Sequence, residues 1–308
     1  MQKRKTSATQ LVAIVAVFAA LNVITDSFMS LPVFPSGVWY SWNFLIMPIT
    51  GIVLGPLLGF AATFIGVMIG HSIYFIDAYE FLFTIGAPIG VAVSALLYKG
   101  KWKPVLAYYI TLFTAYFITP VAWQLPLWGM WDTYIAFAIL IAIAFLIKKG
   151  LWKPETLVHV SLPKRQMIGL SGAFGTIITI LAIYTALQPK LFNITIVLIF
   201  AELISWIFFM VTLFIVYGAV PSSARILLIL AVAAFVGLEA DVLFRIFVFI
   251  PGQTYRFFYG WDVETLQVIW TSGAVITPIK VALSTIATVA IGHPLIKALR
   301  KAGLSTSH

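Results

Sequence analysis

Trp39-Tyr40-Ser41-Trp42-Asn43 opens an apolar run that reaches Leu54, breaks at Gly55-Pro56, and continues to Tyr74. About 15 residues precede the Gly-Pro pair and about 18 follow it. At about 1.5 Å per helical residue, each run approaches the roughly 30 Å of a bilayer's hydrocarbon, the first falling short. No loop fits around Gly55-Pro56, so the pair predicts a tight turn between two antiparallel spans. Gly51 and Gly55 form one Gly-x-x-x-Gly spacing, and Gly66 and Gly70 form another. Such spacing lets helix backbones approach where lipid gives no hydrophobic drive for association.

Composition extends this reading to the whole chain. Of 308 residues, 62% are hydrophobic and 9% charged, where a soluble domain carries about a quarter charged. So few charges cannot cover a globular surface, and lipid is the expected outer solvent. With no cysteine, disulfides and thiolate chemistry are excluded. The basic start Lys3-Arg4-Lys5 precedes an apolar run without a clear cleavage site, so it reads as a retained first helix.

Ten spans are predicted, at roughly 9–27, 41–54, 57–75, 81–98, 105–123, 133–148, 166–187, 193–218, 224–250 and 267–292. The expectation is an all-α polytopic transmembrane helix bundle. It forms one integral membrane domain over 1–308, with six spans in 1–148, a cytoplasmic linker at 149–166, and four spans in 167–308. With both termini cytoplasmic, fifteen of the nineteen Lys and Arg fall on the inner side. Only Lys190 and Arg256 fall outside, with Arg245 and Lys280 within spans. This bias is the positive-inside rule for a cell membrane protein. The net charge of +9 is thus a topology signal and does not indicate nucleic acid. Lys99-Gly-Lys-Trp102-Lys103-Pro104 recurs as Lys149-Gly-Leu-Trp152-Lys153-Pro154, which suits two interfacial span ends better than a duplicated helix pair.

The opposite side is aromatic and acidic. The loop from Ser30 to Trp42 carries Pro32, Pro35, Trp39 and Trp42. It reads equally as a lid over a pocket or as part of an interfacial aromatic belt. Asn43 stands just below it, either capping a helix or touching a ligand. Ionisable groups deep in spans cost about 2.5–3.5 kcal/mol each on insertion scales. Glu202, Glu239, Asp241, Arg245 and Lys280 lie at such depths. Asp241 and Arg245, four apart, share a helix face, and Glu239 is free to meet Lys280. These groups read either as an internal salt-bridge network or as polar contacts for a ligand. The candidate substrate site therefore comprises Trp39, Trp42, Asn43, Tyr74, Glu239, Asp241, Arg245, Trp270 and Lys280. Aromatic walls with a few fixed polar groups suit a flat heterocycle. His71 reads as a packed or interfacial side chain, and the four scattered histidines give no metal-ligand spacing. There is no P-loop and no His-Glu-x-x-His, so no catalytic role and no cofactor is expected.

Pro48-Ile-Thr-Gly-Ile-Val-Leu-Gly55-Pro56-Leu-Leu-Gly59-Phe, continuing to Gly66 and Gly70, resembles the second and third helices of substrate-binding S components of energy-coupling factor (ECF) transporters. So does Ala16-x-x-x-Ala20 in the first span. Ile276-Thr-Pro-Ile-Lys280, running on to Arg300, resembles the family's last helix. The resemblance implies a subunit that captures a vitamin or related micronutrient from outside. It also implies a transmembrane T component, packed against Ala16 and Ala20, and two ATPase subunits on separate chains. Val67 stands where many members carry an acid, and about ten spans exceed the usual six, so the expectation is an S-component-like core with additional helices. The rival expectation is a stand-alone carrier driven by H⁺ or Na⁺, with Glu202, Glu239, Asp241 and Lys280 as coupling groups.

Overall fold

The structure, a computed structural model, describes residues 8–27, 31–32, 39–73, 80–148 and 222–302. The expected spans at 166–187 and 193–218, the linker at 149–166, Glu202 and Tyr74 lie outside the described residues. Those described build an all-α bundle, with one two-residue antiparallel pairing, β1 (Leu31–Pro32) with β2 (Trp39–Tyr40). This pairing closes the base of the aromatic loop, setting Trp39 opposite Pro32. Six helical segments among the described residues are long and apolar enough to cross a membrane. Exposed apolar side chains such as Val12, Leu57, Val268 and Ile286 clothe the outside as lipid requires.

The first helix, α1 (Ala8–Ser27), inverts the pattern of a soluble helix. Its buried residues include Phe18, Asn22 and Asp26, four apart, while Val12, Val17, Leu21 and Ile24 face outward. The polar stripe lies on α3 (Pro56–Ile73) at the predicted glycines. Gly66 faces Asn22 and Ala19, and Gly70 faces Asp26. The other spacing divides its labour. Gly51 packs on the backbone of Val91, whereas Gly55 turns the chain at φ 83°, a conformation that glycine alone adopts without strain.

The predicted span 41–54 is not one helix. A 3₁₀ turn over Trp42–Leu45 ends at Ile46, and α2 (Met47–Leu54) has 8 residues, all buried. Pro48 sits in its first turn, where a missing N–H does no harm but further extension toward the loop is blocked. At about 12 Å, α2 is a buried core segment and crosses nothing alone. After α4 (Glu80–Thr84) and α5 (Gly86–Tyr98), α6 (Trp102–Ile118) stops before Pro120, short of the predicted 123, because the residue preceding a proline avoids helical geometry. Two 3₁₀ turns then lead into α7 (Trp131–Lys148).

The centre is α8 (Ser222–Phe249), whose Leu230, Ala233, Leu238, Ala240 and Leu243 have no exposure. Its mostly apolar length suits a helix at the centre of a bundle. Its tightest neighbour is α5, where Gly90 and Gly237 approach so closely that a Cβ on Gly90 would lie 2.7 Å from the Gly237 carbonyl oxygen. Tyr108 and Tyr109 of α6 donate to the carbonyls of Ala240 and Val236, each at 2.7 Å. The short α9 (Thr254–Phe257) leads to α10 (Val263–Ala287), a π turn over Thr288–Gly292, and α11 (His293–Lys301). Through α11, Leu295, Ile296 and Leu299 cover Phe18, Ile49 and Leu54. That end of the bundle also holds Gly55 beside Lys99.

A candidate binding site with two charged centres

Two residues advance a helix by about 200°, so Glu239 and Asp241 leave α8 on opposite faces. Both have no exposure. On one face, Asp241 Oδ1 accepts from Arg245 Nε at 2.8 Å, the pairing expected from their spacing. Lys280 Nζ of α10 stands 4.0 Å from Asp241 Oδ2, and that oxygen has no hydrogen bond. Gly86 of α5 lies directly against the same carboxylate, which a larger residue would displace.

The 3₁₀ turn completes this centre. Phe44 presents its ring 5.6 Å from Lys280 Nζ and stacks with Trp42 at 5.9 Å. Ser284 of α10 donates to the Phe44 carbonyl, fixing the turn on the helix that brings Lys280. Between the two aromatics, Asn43 is buried, with an Oδ1 that has no hydrogen-bond partner. Trp42, through Phe44, thus joins Asp241, Arg245 and Lys280 in one neighbourhood, with Asn43 in the same turn. Cation–π attraction of Lys280 for Phe44 adds to the ion pairing.

Glu239 turns away from Lys280, toward α7. Its Oε2 accepts from the Thr133 hydroxyl at 2.9 Å, and Thr133 N donates to Asp132 Oδ1 at 3.0 Å. Thr133 thus joins the Asp132 and Glu239 carboxyl groups, one through its N–H and the other through its hydroxyl. Asp132 Oδ2 and Glu239 Oε1 are both buried without a donor. Two ionised carboxylates about 4 Å apart would repel by about 4 kcal/mol at an effective dielectric of about 20.

Trp270 lies elsewhere. It stacks on Tyr116 at 5.8 Å and donates Nε1 to the Pro126 carbonyl at 2.9 Å, joining α10 to α6 and the turns before α7. Trp39 is described only by its backbone pairing, and Ala16 and Ala20 sit on the exposed side of α1. A third polar group ties the loop end together. His71 Nδ1 lies 2.6 Å from Asp26 Oδ2, and its Nε2 lies 3.0 Å from the Thr84 hydroxyl. Nearby, Tyr259 donates to Glu80 Oε1 at 3.4 Å and stacks on Trp261 at 4.7 Å. Sequence reading left Phe44 and Thr133 unremarked. Phe44 is one aromatic among 25 phenylalanines, and Thr133 meets Glu239 across 106 residues of chain.

No protein-family model, no curated protein and no solved structure matches the chain. Fold and charge placement define its class: a multi-pass, all-α membrane protein with ionisable groups buried in the bundle.

Proposed function

We infer that this chain is a membrane-embedded binding subunit that captures a small micronutrient from outside the cell. The reading rests on one observation. Asp241, beside Arg245 and Lys280, buries an oxygen that lacks a hydrogen-bond partner, and Asn43 buries another in the turn whose Phe44 ring covers Lys280. Buried polar atoms are nearly always partnered, and a ligand's donors would partner these. Two cations and one carboxylate converge there, so a flat ring compound carrying an acidic group suits the charge, with Trp42 and Phe44 supplying stacking area. The subunit performs no reaction itself. By its S-component-like glycine pattern it works with a T component, docked on α1 at Ala16 and Ala20, and with two ATPase subunits. The loop end faces outward and both termini face the cytoplasm, following the basic-residue bias.

Tryptophan fluorescence of the purified chain, titrated with a panel of vitamins and precursors, tests the site. A ligand should bind with submicromolar affinity, and Trp42→Ala and Asp241→Asn should each weaken it. If both variants stay within about threefold, roughly 0.65 kcal/mol, the site is elsewhere. Co-purification of ATPase subunits tests the partners.

The Glu239–Asp132 pair favours a second reading, an ion-coupled carrier acting alone. Substrate uptake into vesicles holding only this chain, driven by an imposed ion gradient, would establish it over the first.

A further inference from the structure

We propose that Asp132 and Glu239 hold one small monovalent cation, Na⁺ or a proton, between α7 and α8. The site stands on its own geometry and does not depend on which reading of the substrate centre holds. Each carboxyl group has one oxygen engaged by Thr133 and one oxygen buried without a donor. The two groups come from different helices and meet at Thr133 in the interior. Thr133 serves both, through its N–H and its hydroxyl, and so fixes their separation.

Among the described residues, none supplies a cation to this pair at hydrogen-bonding distance. Tyr109 of α6 is directed to the Val236 carbonyl. Asp241 leaves the opposite face of α8, taking Arg245 with it, and Lys280 of α10 approaches Asp241. Residues 86–98 of α5, packed along the same helix, include no charged side chain. Within the described residues the two acids thus have Thr133 and each other, and a cation between them would balance their charge.

Donor chemistry narrows the occupant. The available atoms are Asp132 Oδ2, both Glu239 carboxyl oxygens and the Thr133 hydroxyl, all hard oxygen donors without nitrogen or sulfur. Calcium takes six to eight oxygens and magnesium a near-ideal octahedron, more than this cradle provides. A monovalent ion with few ligands fits, as does a proton bridging two carboxyl oxygens.

The experiment uses the full chain in lipid nanodiscs, without substrate, in sodium and in choline buffers. Radiolabelled Na⁺ binding and melting temperature are read in one arm. The infrared carbonyl band of a protonated carboxyl group is read in the other. If the occupant is Na⁺, binding saturates, sodium raises the melting temperature, and Glu239→Gln weakens binding by about tenfold or more. If it is a proton, sodium has no effect and a protonated-carboxyl band is present that Glu239→Gln removes. Should Glu239→Gln fail to fold, Asp132→Asn serves in its place, and Thr133→Val should weaken either signal by about threefold or more. Wild-type protein showing neither sodium binding nor the band overturns the proposal, as does a signal unchanged by these substitutions.

Discussion

The two faces of α8 carry charge in different ways. On the Asp241 face, one carboxylate meets Arg245 at 2.8 Å and Lys280 at 4.0 Å, with Phe44 over the lysine. On the Glu239 face, a carboxyl group meets a threonine that also holds the Asp132 carboxyl group. Burial is the same in both places, complete for Glu239 and Asp241. The difference lies in what the neighbouring helices bring: α10 brings a cation, while α7 brings an acid at its own N-terminus, where the helix dipole favours negative charge. One helix thus separates a mixed-charge centre from an acidic one by two positions in sequence.

The largest test of that contrast removes the acid shared by two cations. Asp241→Ala leaves Arg245 and Lys280 together without their carboxylate, and should cost about 3–5 kcal/mol of stability. Thermal unfolding in nanodiscs measures it, and adding Lys280→Met should recover part of the loss. A cost below about 0.5 kcal/mol would mean that the Asp241 centre is not charge-balanced as described. Thr133→Val comes next, because it strips a hydrogen bond from a buried carboxyl oxygen, with an expected loss of about 1–3 kcal/mol. Glu239→Gln should be smaller, within about 1 kcal/mol of either sign, since its amide donates to Asp132 Oδ2 and relieves the crowding of acids. A large loss from Glu239→Gln would show that the ionised glutamate is structurally required, and the two faces would then be alike.

The smallest effect concerns how α10 begins. Asp262 caps it, accepting from Thr265 N at 2.8 Å, and that hydrogen bond holds the carboxyl group below its ordinary value of 3.8. A carboxyl group lowered on folding contributes stability above its unfolded value and loses it as pH falls through the folded one. Melting curves of wild type and Asp262→Ala should therefore separate at neutral pH and merge in strong acid. Asp262→Asn, still a capping residue, should stay near wild type.

The membrane class, the Gly55 turn, the close approach at Gly66 and Gly70 and the Asp241–Arg245 pair were all legible in the sequence. Each depends on composition or on spacings of a few residues. The length of α2 was not. In a membrane protein, a side chain facing lipid and one facing the core are equally apolar, so hydropathy reads Ser41 to Leu54 as a span when α2 is in fact fully enclosed. The Glu239–Thr133 contact was also hidden, because it joins helices distant in sequence and neither residue carries a spacing that announces the other. The spacing pointed Glu239 toward Lys280, whereas helix rotation brings Lys280 to Asp241 and Glu239 to Thr133.

The Gly55 turn has a consequence for how the chain enters the membrane. The 3₁₀ turn and α2 together extend about 20 Å, less than the hydrocarbon thickness, so the insertion machinery has no full-length segment to release sideways into lipid. The stretch gains its burial only when α3 and α5 are present to enclose it. Trp42 to Ile73 is therefore expected to integrate as a hairpin, with α3 as the anchoring arm and Gly55-Pro56 as its bend. Lengthening that bend would act on biogenesis before it acted on the finished protein, and would register as chains halted at the translocation channel.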